Sequence, residues 1–139
     1  MVVQNERQEK TCCFYVSDFH LEMILIPYIN KKIEENIVII TEKNLKETVE
    51  ILISKMNLKK ENKNKILSLG WNGEQEIKEN SNIIIIGTKD YINNKDNEIK
   101  HKKPLSVLHC YNFEEENNNM ENIIKEYKNT LNTLGKNNF

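Results

Sequence analysis

Two unbroken runs of β-branched residues constrain this chain more than anything else in it: Ile83-Ile84-Ile85-Ile86, closed by Gly87, and Ile37-Val38-Ile39-Ile40. A strand sends successive side chains to opposite sides, so a strand with one wet face alternates apolar and polar residues. Neither run alternates. Each therefore belongs to a strand covered on both faces, and sheets covered on both faces are mostly parallel, with helices as their crossovers.

Three further short runs read as strands: residues 12–16, 66–69 and 105–111. The segments between them carry helical spacing. Leu21, Ile24, Leu25, Tyr28, Ile29 and Ile33 form one apolar face. Pro27 falls inside it, either in the first turn of a helix starting near Leu25 or as a kink in a longer one. Leu45, Val49, Leu52, Ile53 and Met56 form a second face, preceded by Asn44 as N-cap, with Glu47 completing a capping box. Residues 59–65 read as a loop or frayed helix end, Gly70-Trp71-Asn72-Gly73 as a turn, and residues 74–82 as two helical turns at most. Residues 88–104 read as a long polar loop. Met120, Ile123, Ile124, Tyr127, Leu131 and Leu134 give a last helix, with Gly135 at its C′ position.

Strands alternating with helices predict an α/β fold: one domain over residues 1–139, a mostly parallel five-stranded sheet, and helices on both faces in a RecA-like or Rossmann-like three-layer arrangement. Residues 1–10 read as a flexible tail. The 139 residues suffice for one core without disulfides. Asn accounts for 22 of them and Ala for none, so Asn is background and Asn-rich stretches carry little information.

Composition removes several classes. No apolar stretch reaches the 18 or so residues of a membrane span, and the polar N-terminus does not resemble a signal peptide. Cys12, Cys13 and Cys110 show no paired spacing, which points to free, buried thiols and a cytoplasmic setting. A net charge of -1 disfavours general nucleic-acid binding.

In parallel α/β sheets, ligands bind beyond the carboxyl ends of the strands. The residues expected there include Ser17, Asp18, His20, Glu42, Trp71, Asn72, Asp90 and residues 112–116. That edge is acidic, whereas Lys59, Lys60, Lys63, Lys65, His101, Lys102 and Lys103 are expected at the opposite edge. Ser17-Asp18-Phe19-His20 after the first strand looks like the first motif of calcineurin-like metallophosphoesterases, which hold metal with an Asp and a His two residues apart. The further ligand motifs of that class are absent, and the alternative is that Asp18 caps the first helix. The same turn has no Gly, so it forms neither a Walker A loop nor a dinucleotide fingerprint. Trp71 either covers a helix edge or stacks on a ligand ring. His109 and Cys110 are adjacent on a strand and point apart, so they are not a nucleophilic dyad. Met23, Met56 and Met120 read as core filler.

Phe14-Tyr15, Asp18, Leu25-Ile26-Pro27-Tyr28-Ile29, Glu35-Asn36 and the strand 37–40 resemble the opening of MEDS domains, small bacterial sensory modules related to the RecA-like core. Val107-Leu108-His109-Cys110-Tyr111-Asn112 is similar to a late strand of that family. The resemblance covers about half the chain. It implies a regulatory domain without ATPase parts and supplies no catalytic residues.

The leading expectation is thus a cytoplasmic, non-catalytic sensory or regulatory module without metal or cofactor. It would bind a partner protein or small molecule through Asp18, His20, Glu42, Trp71, Asn72 and Asp90. Two rivals stand beside it: a small metal-dependent phosphoesterase-like enzyme using Asp18 and His20, and a structural subunit forming homo-oligomers.

Overall fold

A computed structural model describes residues 9–138. The elements are β1 (Glu9–Tyr15), α1 (Asp18–Lys31), β2 (Ile37–Thr41), α2 (Lys46–Lys55), α3 (Lys60–Leu67), β3 (Asn82–Ile86), α4 (Lys89–Ile99), β4 (Ser106–Asn112), α5 (Phe113–Glu116), α6 (Met120–Ile124), β5 (Asn129–Asn132) and β6 (Gly135–Asn138). The sheet order is β2-β3-β4-β1-β5-β6. Every pairing is parallel except β5 with β6. The expected fold class is therefore present, with six strands instead of five. The order is neither the 3-2-1-4-5-6 nor the 2-1-3-4-5 of the common doubly wound sheets.

The two aliphatic runs pair with each other in register, Ile37 opposite Asn82 through Thr41 opposite Ile86. Alternate residues feed two cores. Ile39, Ile84, Ile86, Leu108, Cys13 and Cys110 face α1, α2 and α3. Val38, Ile40, Ile83, Ile85, Val107 and Cys12 face α4 and α6. That division is the physical reason the runs do not alternate with polar residues. The three cysteines are free and buried.

Several elements differ from the sequence reading. Residues 66–69 are not a strand: α3 runs through Leu67, and Ile66 is buried on its inner side. Trp71 braces this helix end: its indole N–H donates to the Ile66 carbonyl at 2.8 Å, which also accepts from Leu69 N–H at 3.2 Å. Lys60, Lys63 and Lys65 consequently lie on a helix and not at the amino edge of a strand. After Trp71 the chain passes the free side of β2, where Thr41 N–H donates to Gly73 O at 3.2 Å. Ile77 then packs into the opposite core before β3 begins. This strap covers the edge that β2 would otherwise expose. No helix forms between residues 74 and 82.

The expected loop 88–104 is mostly α4. Thr88 caps it by accepting from Tyr91 N–H at 3.3 Å, and Ile92 and Ile99, two turns apart, are both buried. The expected last helix stops at Ile124, and Gly135 opens a strand of a hairpin. Thr and Asn at residues 129–133 are weak helix formers, Asn132 Oδ1 accepts from Leu134 N–H at 2.9 Å, and Gly135 takes φ +113. Asn132 pairs with Gly135 across a two-residue turn. Pro27 lies inside an unbroken α1 and leaves the Met23 carbonyl without its helical donor. Met23 is 53% exposed and not core filler. Of the expected flexible tail, residues 1–8 lie outside the described residues, whereas Lys10 already belongs to β1. No helix among the described residues is long and apolar enough to cross a membrane.

Candidate functional site

The connections divide at the centre of the sheet. β1 leads through α1 on one face toward β2, while its neighbour β4 leads through α5 and α6 on the other face toward β5. Adjacent strands whose connections part in this way leave a crevice at their carboxyl ends. Tyr15 is the last residue of β1 and pairs with Asn112, the last of β4, so Val16 and Phe113 begin the two walls.

Ser17, not Asp18, caps α1: its side chain accepts from His20 N–H at 3.1 Å. Asp18 is the first helical residue, where a carboxylate suits the helix dipole, and it pairs with Lys43 at 2.9 Å. Lys43 also lies over the Tyr15 ring, 5.4 Å from its centroid. His20 turns back, Nδ1 accepting from Val16 N–H at 2.9 Å, which places its proton on Nε2 in the neutral ring. Asp18 and His20 are thus engaged separately, by Lys43 and by the main chain.

Glu42 Oε1 accepts from Thr88 N–H at 2.9 Å, tying the end of β2 to the start of α4. Gly87 makes room for this contact, since a Cβ there would lie 2.8 Å from Glu42 Oε1 and 2.6 Å from the Tyr91 ring. Asn44 Oδ1 accepts from Lys46 N–H at 3.0 Å, but the N-cap of α2 is Leu45, so the expected capping box does not form. Asn112 Oδ1 accepts from Glu114 and Glu115 N–H at 2.9 and 3.3 Å. Asp90 and Asn72 are exposed near this edge. Trp71 is buried and offers no ring face to a ligand. Three apolar side chains that follow β1 and β4 are exposed: Val16 at 56%, Phe19 at 44% and Phe113 at 38%.

A buried polar network on the other face was not foreseen from sequence. His109 in β4 sits between Asp96, 3.1 Å from Nε2, and the Tyr127 hydroxyl, 2.6 Å from Nδ1. Tyr111 and Tyr127 hydroxyls are also bonded to each other. An ionised Asp96 accepts only, so His109 donates to it from Nε2, while Nδ1 and the Tyr127 hydroxyl bond each other in either ring state and the Tyr111 hydroxyl completes the chain. Every group is then satisfied. Burial alone would raise the Asp96 carboxyl, but the His109 hydrogen bond and charge, with Lys10 and Lys100, bring it below its ordinary value. The His109–Tyr111 alternation on one strand was a visible signal. Its partners, 13 and 16 residues away from their strand mates, were not.

Burial holds these phenols and thiols in their protonated forms. Burial pushes the Tyr111 phenol up to about 12 and raises Tyr127 further still. Burial likewise pushes Cys12 up to about 11 and raises Cys110, the reverse of what an attacking thiolate needs. His109 and Cys110 do point apart, into different cores. Among the described residues, no group of three or more His, Cys, Asp or Glu side chains is placed to hold a metal ion. The chain matches no family model, no curated protein and no solved structure.

Proposed function

We propose that the chain is a non-catalytic regulatory module that docks a partner protein at the carboxyl edge of its sheet. The observation that carries this reading is the pairing of an apolar opening with engaged polar groups. Val16, Phe19 and Phe113, which follow β1 and β4, are exposed, while Asp18, His20 and Glu42 are held by Lys43 and by main-chain N–H groups. Exposed aromatics cluster at binding surfaces more than at solvated ones. Asp90, Glu114 and Glu115 rim the opening, so the partner segment is apolar and basic. The resemblance to MEDS sensory modules supports a regulatory role, and a reducing cytoplasm suits the three free thiols.

Selection of a random peptide library on the protein tests this. Selected sequences should combine aromatic or aliphatic residues with Lys or Arg, and should lose binding to a Phe19→Glu/Phe113→Glu variant. Peptides that bind that variant equally well would refute the site. Stoichiometric Mn, Fe or Zn in the purified protein, lost in Asp18→Ala, would refute the non-catalytic reading and favour the metal-dependent enzyme.

A further inference from the structure

We propose that the groove between α1 and the β5–β6 hairpin binds a small amphiphilic anion: a compact apolar body carrying one carboxylate, sulfonate or phosphate group. The groove encloses about 300 Å3, at the lower end of the range for small-molecule sites. It exists because the helical layer is incomplete. α1, α2 and α3 pack against one another, and none of them covers the hairpin beyond α1.

The walls define the ligand. Met23, Pro27 and Tyr28 supply an apolar side from α1, and Leu131 supplies the floor from β5. Among the described residues that line it, Lys31 and Lys32 stand beside one carboxylate, Glu35, and Lys136 closes the hairpin side. Lys32 lies over the Tyr28 ring, 5.4 Å from its centroid. The rim therefore carries a cationic excess above an apolar floor, which selects a molecule with one anionic end and one greasy end. A partner helix fits less well. Among the described residues, Leu131 is the one apolar side chain the hairpin contributes to this groove, whereas specific protein interfaces need about 800 Å2 from each partner.

The test uses anilinonaphthalene sulfonate, whose fluorescence reports an apolar site, with the intact chain. The expected result is saturable binding at one site per chain, displaced by dodecanoate but not by dodecyltrimethylammonium, which has the same tail and the opposite charge. Met23 is largely exposed, so Met23→Glu alters the wall without disturbing the core, and it should weaken binding about tenfold or more, or about 1.4 kcal/mol. Lys31→Gln should weaken dodecanoate binding, since it removes a cation at the groove. Equal competition by the cationic amphiphile, or binding indifferent to Met23→Glu, would overturn the proposal. So would cosedimentation with anionic phospholipid vesicles that Met23→Glu abolishes, since that assigns the groove to a membrane surface. Failure here leaves the carboxyl-edge reading untouched, because Phe113 and Val16 take no part in the groove.

Discussion

Glu22 should make the protein less stable as pH rises from mildly acidic to neutral. Its side chain is fully buried between α1 and α2. Oε1 has no hydrogen-bond partner, and Oε2 meets the Thr48 hydroxyl. That hydroxyl also lies 3.1 Å from the Leu45 carbonyl. One hydroxyl hydrogen cannot serve both acceptors. A neutral carboxylic acid resolves the conflict: it donates to Thr48, and Thr48 donates to Leu45. Ionisation removes that donor and places a charge on a fully buried side chain.

Burial, with the Asp18 charge nearby, accordingly pushes the Glu22 carboxyl from its ordinary 4.5 up to about 7, against the opposing Thr48 hydrogen bond. Because the folded state holds the proton more tightly, the contribution is complete below about 4.5, falls between there and 7, and is absent above. At about 1.4 kcal/mol for each tenfold change in proton affinity, the loss is roughly 3 kcal/mol. Urea unfolding across pH 4.5–8 measures it, and Glu22→Gln isolates it from the histidines and other carboxylates. The wild type should lose about that much relative to the variant over this range. Parallel stability curves for the two proteins would refute the buried neutral carboxyl.

Four further outcomes are expected. Ile85→Ala, in a fully buried residue of β3, should cost about 2–5 kcal/mol in denaturant melts, and a change under about half a kcal/mol would mean that β3 is not central. Tyr127→Phe removes the hydroxyl bonded to His109 Nδ1 and should cost about 1–3 kcal/mol, whereas a neutral effect in thermal melts would refute the network. Limited trypsin digestion should cut first at Lys100 or Lys102 and spare Lys95, which Glu74 holds at 2.8 Å within α4; first cleavage at Lys95 would refute that helix. Calorimetric titration should detect no ATP binding, because the turn after β1 lacks glycine and each like-charge contact with the acidic edge at about 6 Å costs near 3 kcal/mol at an effective dielectric of 20; a low-micromolar affinity would refute the edge assignment.

The parts of the fold legible in the sequence are those set by burial on both faces. β2 and β3 announce themselves because an all-aliphatic run has one solution in this architecture. α1 and α2 were readable from their apolar spacing. The misread elements are those whose structure depends on a distant partner. Ile66 and Leu67 look like a strand until Trp71 supplies the N–H that braces a helix end there. α4 was hidden because its polar residues match the Asn-rich background, and only Ile92 and Ile99 mark its inner side. Residues 120–134 keep helical apolar spacing, yet Asn and Thr weaken the helix and pairing with β1 offers residues 129–131 a better partner. At the candidate site, sequence placed Asp18, His20, Glu42, Asp90 and Asn72 at or beside the carboxyl edge. It could not foresee that the first three are engaged by the protein itself, or that Trp71 is internal.

The two buried polar devices each fix a placement that apolar contacts leave open. Apolar contacts are non-directional, so they bury a segment without fixing which of its conformers is used. α2 carries little apolar surface of its own, with Val49 and Ile53 as its buried residues, and Glu22–Thr48 ties its first turn to α1. The stretch after α6 could continue as helix, but Tyr127 is held by His109 and Tyr111 on β4, directly before β5 begins. Capture of Tyr127 therefore delivers Asn129 to the edge of β1, and the hairpin that follows supplies Leu131 and Lys136 to the groove beside α1. In this chain, hydrogen bonds inside the cores decide which surfaces exist for a ligand to meet, while the aliphatic sheet supplies the stability that keeps them in place.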